Sequence, residues 1–148
     1  MKYLLDTNIY FHTLHDPAYL ARYRSALLRV TPQTFLSIVV RLELVQGAQG
    51  DIARARVGKA VAPLERSGRV IAPTHADWTR AGTTQGRIWD AHPSLRTKNL
   101  QNDILIACTA LRIGAVIVTS NTRDFDLIRP YVPHRALTLQ QVAGEIEG

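Results

Sequence analysis

The chain has 148 residues, 46% of them hydrophobic and 20% charged, a globular balance that suits one domain over 1–148 and excludes long disordered stretches. No apolar run approaches the roughly 20 residues that cross a bilayer, Asp6 comes too early for a signal peptide, and Cys108, the only cysteine, excludes an internal disulfide, so the cytoplasm is the expected compartment. The net charge of +6 favours polyanionic partners, nucleic acid first, although an Arg-rich composition inherited from a GC-rich genome accounts for it equally well.

In chain order, Tyr3-Leu4-Leu5 is a short apolar run ending on an acid, a predicted buried strand. Asp16-Pro17 reads as a helix cap followed by Pro in the first turn, with the helix running through Leu28. Pro32 breaks the chain, and Thr34 to Ser37 is a second strand. Ile38 to Gln46 is apolar nearly all round, which predicts a buried helix. A more polar helix runs from Asp51 towards Ser67-Gly68. Arg69 to Ala72 is a third strand closed by Pro73. Helices follow over Asp77 to Trp89 and from Asn102 to Gly114, whose glycine suits a left-handed helix stop. Cys108 falls inside the second of these, where a small buried hydrophobe is expected. Ala115 to Thr119 is the clearest strand, followed by a helical turn over Arg123 to Ile128 and a last strand–helix pair from Arg135. Strands alternating with helices predict an α/β domain on a mostly parallel sheet, in which sites lie at the carboxyl ends of strands.

Most of the 12 acidic residues have a local structural role. Helix neighbours three and four apart face each other, so Asp51 is expected to pair with Arg54, Asp77 with Arg80, Asp90 with Arg87, Asp126 with Arg129 and Glu65 with Arg69. Asp16 is a cap, and Glu145 and Glu147 fall in a solvated tail. Asp6, Glu43, Asp103 and Asp124 remain, without a cation at any facing position. Each has its own bland alternative: Asp6 as a helix cap, Asp103 as a first-turn acid, Glu43 as the partner of a distant arginine. Taken together, they point to a carboxylate cluster, two of whose members follow strands directly.

Converging carboxylates suit a hard cation such as Mg²⁺ or Mn²⁺, and such a cation on a basic protein suits phosphate chemistry, with water activated for in-line attack. His12 and His15 lack a third ligand for zinc. No nucleotide-cradling glycine loop is present, and Ser37 lacks the glycines of a nucleophile elbow.

Four segments carry a resemblance: Leu4-Leu5-Asp6-Thr7-Asn8; Ser37 with Glu43-Leu44 and Gly47; Asn102-Asp103-Ile104-Leu105-Ile106-Ala107; and Thr119-Ser120-Asn121-Thr122-Arg123-Asp124-Phe125. In order and spacing, the chain resembles the PIN-domain ribonucleases, especially the VapC-type toxins of toxin–antitoxin pairs. That resemblance implies a PIN-like parallel sheet wrapped by helices, Mg²⁺- or Mn²⁺-dependent endonucleolytic cleavage of RNA, homodimerisation, and inhibition by a small antitoxin whose tail blocks the acidic groove. It implies Asp6, Glu43, Asp103 and Asp124 as metal ligands, with Thr7 and Asn121 as supporting polar groups. Some members carry aspartate where Asn121 stands, so here Asp124 must supply the fourth acid.

Two rivals remain at this point. A phosphohydrolase using Asp6 as nucleophile would normally want a second Asp where Asn8 stands. A non-enzymatic RNA- or ribosome-binding domain would normally show exposed aromatics, and Tyr, Phe and Trp total only 7%. Trp78 and Trp89 read equally as core or interface.

Overall fold

A computed structural model describes residues 1–147. Five strands, β1 (Lys2–Leu5), β2 (Thr34–Ser37), β3 (Val70–Ile71), β4 (Ala115–Val118) and β5 (Arg135–Leu137), form one sheet in the order β3-β2-β1-β4-β5. Every pairing is parallel, with Tyr3 beside Thr34 on one side and Val116 on the other. The helices are α1 (Thr7–His15), α2 (Pro17–Val30), α3 (Ile38–Gly47), α4 (Asp51–Arg66), α5 (His75–Ala91), α6 (Gln101–Ile113), α7 (Thr122–Ile128) and α8 (Leu139–Glu147). The result is the α/β architecture on a parallel sheet that the alternation of strands and helices predicts, wrapped by helices as the resemblance implies. No helix is long and apolar enough to cross a membrane among the described residues.

The core follows from strands buried on both faces. All of β4 is buried, as is the run Ile104 to Ala110 of α6 packed against it; Cys108 lies in that run. Burying an aliphatic side chain of this size contributes roughly 1.5–3 kcal/mol, which holds the centre of the sheet rigid. Gly114 ends α6 with φ of 67°, where a side chain would be strained, and so turns the chain directly into β4. Asp16 caps α2, accepting from the Ala18 and Tyr19 amides.

The structure departs from several sequence expectations. Asp6 caps the helix that follows it, α1, as one of its expected roles had it, and that helix itself was not among the expected elements. Helix α3 is not buried all round, because Ile38 and Leu42, four residues apart, face solvent. Asp77 caps α5 in a reciprocal capping box with Thr74 and pairs with Arg112, at 3.0 Å, rather than with Arg80. Arg80 instead donates to the Tyr131 carbonyl. Asp90 pairs with Arg96 rather than Arg87, and Glu65 with Arg41 rather than Arg69. In each case a residue distant in sequence offers a better approach than the helix neighbour. Asp51–Arg54 and Asp126–Arg129 form as the spacing predicts. Glu145 is exposed and pairs with Arg135, while the side chain of Glu147 lies outside the described residues. Trp78 is exposed and Trp89 half-buried, so Trp78 is not core.

Strand order places β1 and β4 side by side where the winding reverses: the chain steps outward from β1 through β2 to β3, then returns to β4 and β5. Such a reversal opens a crevice beyond the carboxyl ends of the two strands.

Candidate active site

Asp6 lies in this crevice, directly after β1. Its backbone N–H donates to the Val118 carbonyl at 2.8 Å, continuing the pairing with β4 by one step. As the cap of α1, its carboxylate accepts from the Thr7 amide at 2.9 Å. The other oxygen accepts from the Thr119 hydroxyl at 2.8 Å and the Asn8 amide at 3.2 Å. Asp6 is thus a buried carboxylate with both oxygens fixed.

Glu43 arrives from α3, one helical face away from Arg41, which is turned towards Glu65. The Thr7 hydroxyl donates to it at 2.8 Å, tying α3 to the start of α1. Asp103 comes from the first turn of α6. Asp124 comes from the first turn of α7, where the Asn121 amide donates to it at 2.8 Å. Four acids from four elements thus lie around the β1/β4 crevice, near enough for Asp103 to feel the charges of the other three, and Thr7 and Asn121 each hold one of them.

Three contributors escaped the sequence. The Thr119 hydroxyl donates to Asp6 while accepting from the Asn121 amide at 3.0 Å, so it links both strand ends. Asn8 donates to Asp6 and accepts from the Ser120 N–H at 3.0 Å. Lys98 Nζ stands 2.6 Å from Asp124, out of line for a hydrogen bond. Thr119 and Asn8 had a signal: polar residues in the first positions beyond the two central strands. Lys98 had none, being 26 residues from its partner in a stretch of turns.

The acids act on one another. Burial pushes the Asp103 carboxyl up to about 7, and repulsion from Asp6, Glu43 and Asp124 adds to this, with Lys98 opposing. Burial also raises the Glu43 carboxyl, with the Thr7 side chain pulling it back and Asp6 repelling it. Burial raises Asp6 as well, its hydrogen bonds from Thr119, Thr7 and Asn8 opposing. An acid that titrates higher folded than unfolded binds more protons in the folded state, so its stability contribution falls as pH rises. For Asp103 the window runs from its ordinary 3.8 to about 7. In EDTA-containing buffer, Asp103→Asn is therefore expected to be more stable than wild type by a few kcal/mol, at most about 4, near pH 7.5. That advantage should shrink towards nothing near pH 4, as read by denaturant midpoints; an advantage independent of pH would contradict this electrostatic picture.

Hard oxygen donors of this kind, without thiolate or imidazole, fit Mg²⁺ or Mn²⁺. Among the described residues, no three His, Cys, Asp or Glu side chains already close around one point. A cation that keeps part of its water shell and takes only one or two carboxylates directly suits this looser spacing. Beside Glu43 and Thr7 runs an apolar groove of about 430 Å³, lined by Phe11, Leu14, Leu44 and Val57 with Arg56 among its lining residues.

The family model described as PIN domain matches residues 3–129. Ribonuclease VapC1 of Haemophilus influenzae strain R2866 is 27% identical over 134 residues, spanning 86% of this chain and 92% of that protein. Among solved structures, a chain of DNA-bound VapBC from Salmonella typhimurium is 26% identical, with a TM-score of 0.61 over 94% of this chain and 98% of its own. A chain of VapBC-1 from nontypeable Haemophilus influenzae is likewise 26% identical, with a TM-score of 0.60 over 95% and 99%.

Proposed function

The chain belongs to the PIN domain family, and on that footing we propose that it is a divalent-metal-dependent endoribonuclease, the toxin of a toxin–antitoxin pair. The observation that carries this reading is the meeting of Asp6, Glu43, Asp103 and Asp124 at the carboxyl ends of β1 and β4. The likeness to proteins named ribonuclease VapC1, and to chains solved within VapBC complexes, supports the substrate and the toxin role.

A bound Mg²⁺ or Mn²⁺ would activate water and neutralise charge on the scissile phosphate. Asp6, Glu43, Asp103 and Asp124 would hold it. Thr7 and Asn121 would fix the orientation of Glu43 and Asp124, and Thr119 and Asn8 that of Asp6. With both oxygens engaged, Asp6 suits a fixed ligand better than a phosphorylated nucleophile.

The partners follow the same logic. The acidic crevice would accept an arginine or lysine from a small antitoxin, whose apolar residues would lie in the groove of Phe11, Leu14, Leu44 and Val57. The exposed Ile38 and Leu42 on α3 support contact between two copies in a homodimer. Action on cellular RNA would place the protein in the cytoplasm.

Expression of the chain alone in a bacterial host tests the toxin role. Growth arrest is expected, and Asp103→Asn should relieve it at equal levels of folded protein. A wild type that is harmless at high level and inert on RNA would sink this reading.

A further inference from the structure

A second cavity, of about 440 Å³, lies between α5 and the segment leading into α6. Trp78, Gly82, Gln85 and Trp89 recur along α5 at spacings of four, three and four residues, which puts all of them on one helical face. A Cβ at Gly82 would meet nothing within 4 Å, so the helix face is open at that position. Trp78 is 52% exposed. The Trp89 indole N–H is occupied, donating to the Lys98 carbonyl at 3.1 Å.

Gln85 is the informative residue. It is 7% exposed, and its carbonyl oxygen accepts from the Leu100 amide at 2.6 Å, which fixes the orientation of the side-chain amide. The remaining NH₂ has no acceptor among the described residues. An unanswered buried donor is costly, and here it belongs to a residue lining a cavity that two indoles flank.

The cavity shares a wall with the acidic crevice. Thr97 and Asn99 line it, while Lys98 between them reaches across to Asp124. Gln101 lines it too, and Asp103, two residues on, belongs to the acid group. Arg96, also lining the cavity at an exposed position, is paired with Asp90 at 3.5 Å.

We infer that this cavity is a base-binding subsite, in which an unpaired nucleobase of the RNA strand, away from the cleaved phosphate, stacks against Trp78 and presents a carbonyl or ring nitrogen to the Gln85 amide. Stacking on an indole with one polar determinant is how single-stranded RNA is commonly held. The inference rests on the ribonuclease reading above for its substrate, and its test is separable from it. The chain's only tryptophans, Trp78 and Trp89, both line the cavity, so tryptophan fluorescence, excited selectively over tyrosine, reports on this place.

The full-length protein, in EDTA, is titrated with single-stranded hexaribonucleotides of A, of C, of U and of alternating G and A, and with an abasic hexamer of the same backbone. Saturable quenching is expected with at least one base-bearing oligomer and not with the abasic one. Trp78→Ala, at an exposed position, should weaken that binding by about tenfold. Gln85→Glu, which keeps an oxygen for the Leu100 amide and loses the donor, should change the ranking among the oligomers. If the wild type cleaves RNA with Mg²⁺ yet no oligomer quenches, the subsite is refuted and the nuclease stands. If oligomers quench and nothing is cleaved, the nuclease reading falls and the subsite stands. If Trp78→Ala converts a dimer to a monomer in sedimentation with oligomer affinity unchanged, the face is an interface between copies and the inference is overturned.

Discussion

Chelation with EDTA is expected to abolish RNA cleavage by the purified protein, and added Mg²⁺ or Mn²⁺ to restore it. The expectation rests on charge. The crevice brings four carboxylates together, with Lys98 as the cation that acts on them. A phosphate entering without a metal would meet like charges, each repelling by about 1 kcal/mol at 4 Å in water and by several times more at a partly buried site. The protein's arginines can attract RNA to its surface, but the crevice itself rejects the group to be cut. A divalent cation reverses that sign locally. Loss should therefore be complete, whereas RNA binding elsewhere on the surface should survive chelation. Site-specific cleavage persisting in excess chelator would show that the acids act without a metal.

Asp124→Asn is expected to lower metal-dependent turnover by at least about tenfold, equivalent to roughly 1.4 kcal/mol of barrier. Asp126→Asn should leave it within about twofold. Both acids lie on α7, two residues apart, and so on different faces. Asp124 is 7% exposed, held by Asn121, with Lys98 beside it. Asp126 points to solvent and pairs with Arg129, an exposed ion pair of the kind that contributes little. Replacing Asp124 also leaves the Lys98 ammonium without its partner next to the site, which adds to the loss. Measured side by side at saturating Mg²⁺, the reverse ranking would assign the fourth ligand to the other face. Equal and negligible effects would mean that Asp6, Glu43 and Asp103 suffice.

The four acids were legible because local spacing left them without partners and because two of them follow strands. Parallel strands buried on both faces also announce themselves as short apolar runs, which is why β2 was readable from Thr34 to Ser37. Helix α1 was not, since Asp6 reads equally as the end of a strand or the cap of a helix. Ion pairing was the least legible layer. Asp77, Asp90 and Glu65 each had an arginine at helical spacing and chose one further away, because long arginine side chains reach across elements at little cost. Lys98 belongs to the same class: only the folded chain shows that the turns before α6 lie against α7. The sequence pointed to which groups are acidic and unpaired, but not to which groups orient them, such as Thr119 and Asn8.

The pairing of Tyr3 with Val116, and the hydrogen bond from Thr119 to Asp6 across 113 positions of sequence, have a consequence for biosynthesis. The first acid emerges from the ribosome almost at once, but the strand and hydroxyl that hold it are made some 113 positions later. Contacts between such distant segments form late in folding, because closing the intervening loop costs entropy before any contact repays it. The crevice of a nascent chain is therefore unassembled until β4 and Thr119 have left the ribosome. On the function proposed above, that delay would leave a translation-long interval in which a neutralising partner could already be waiting.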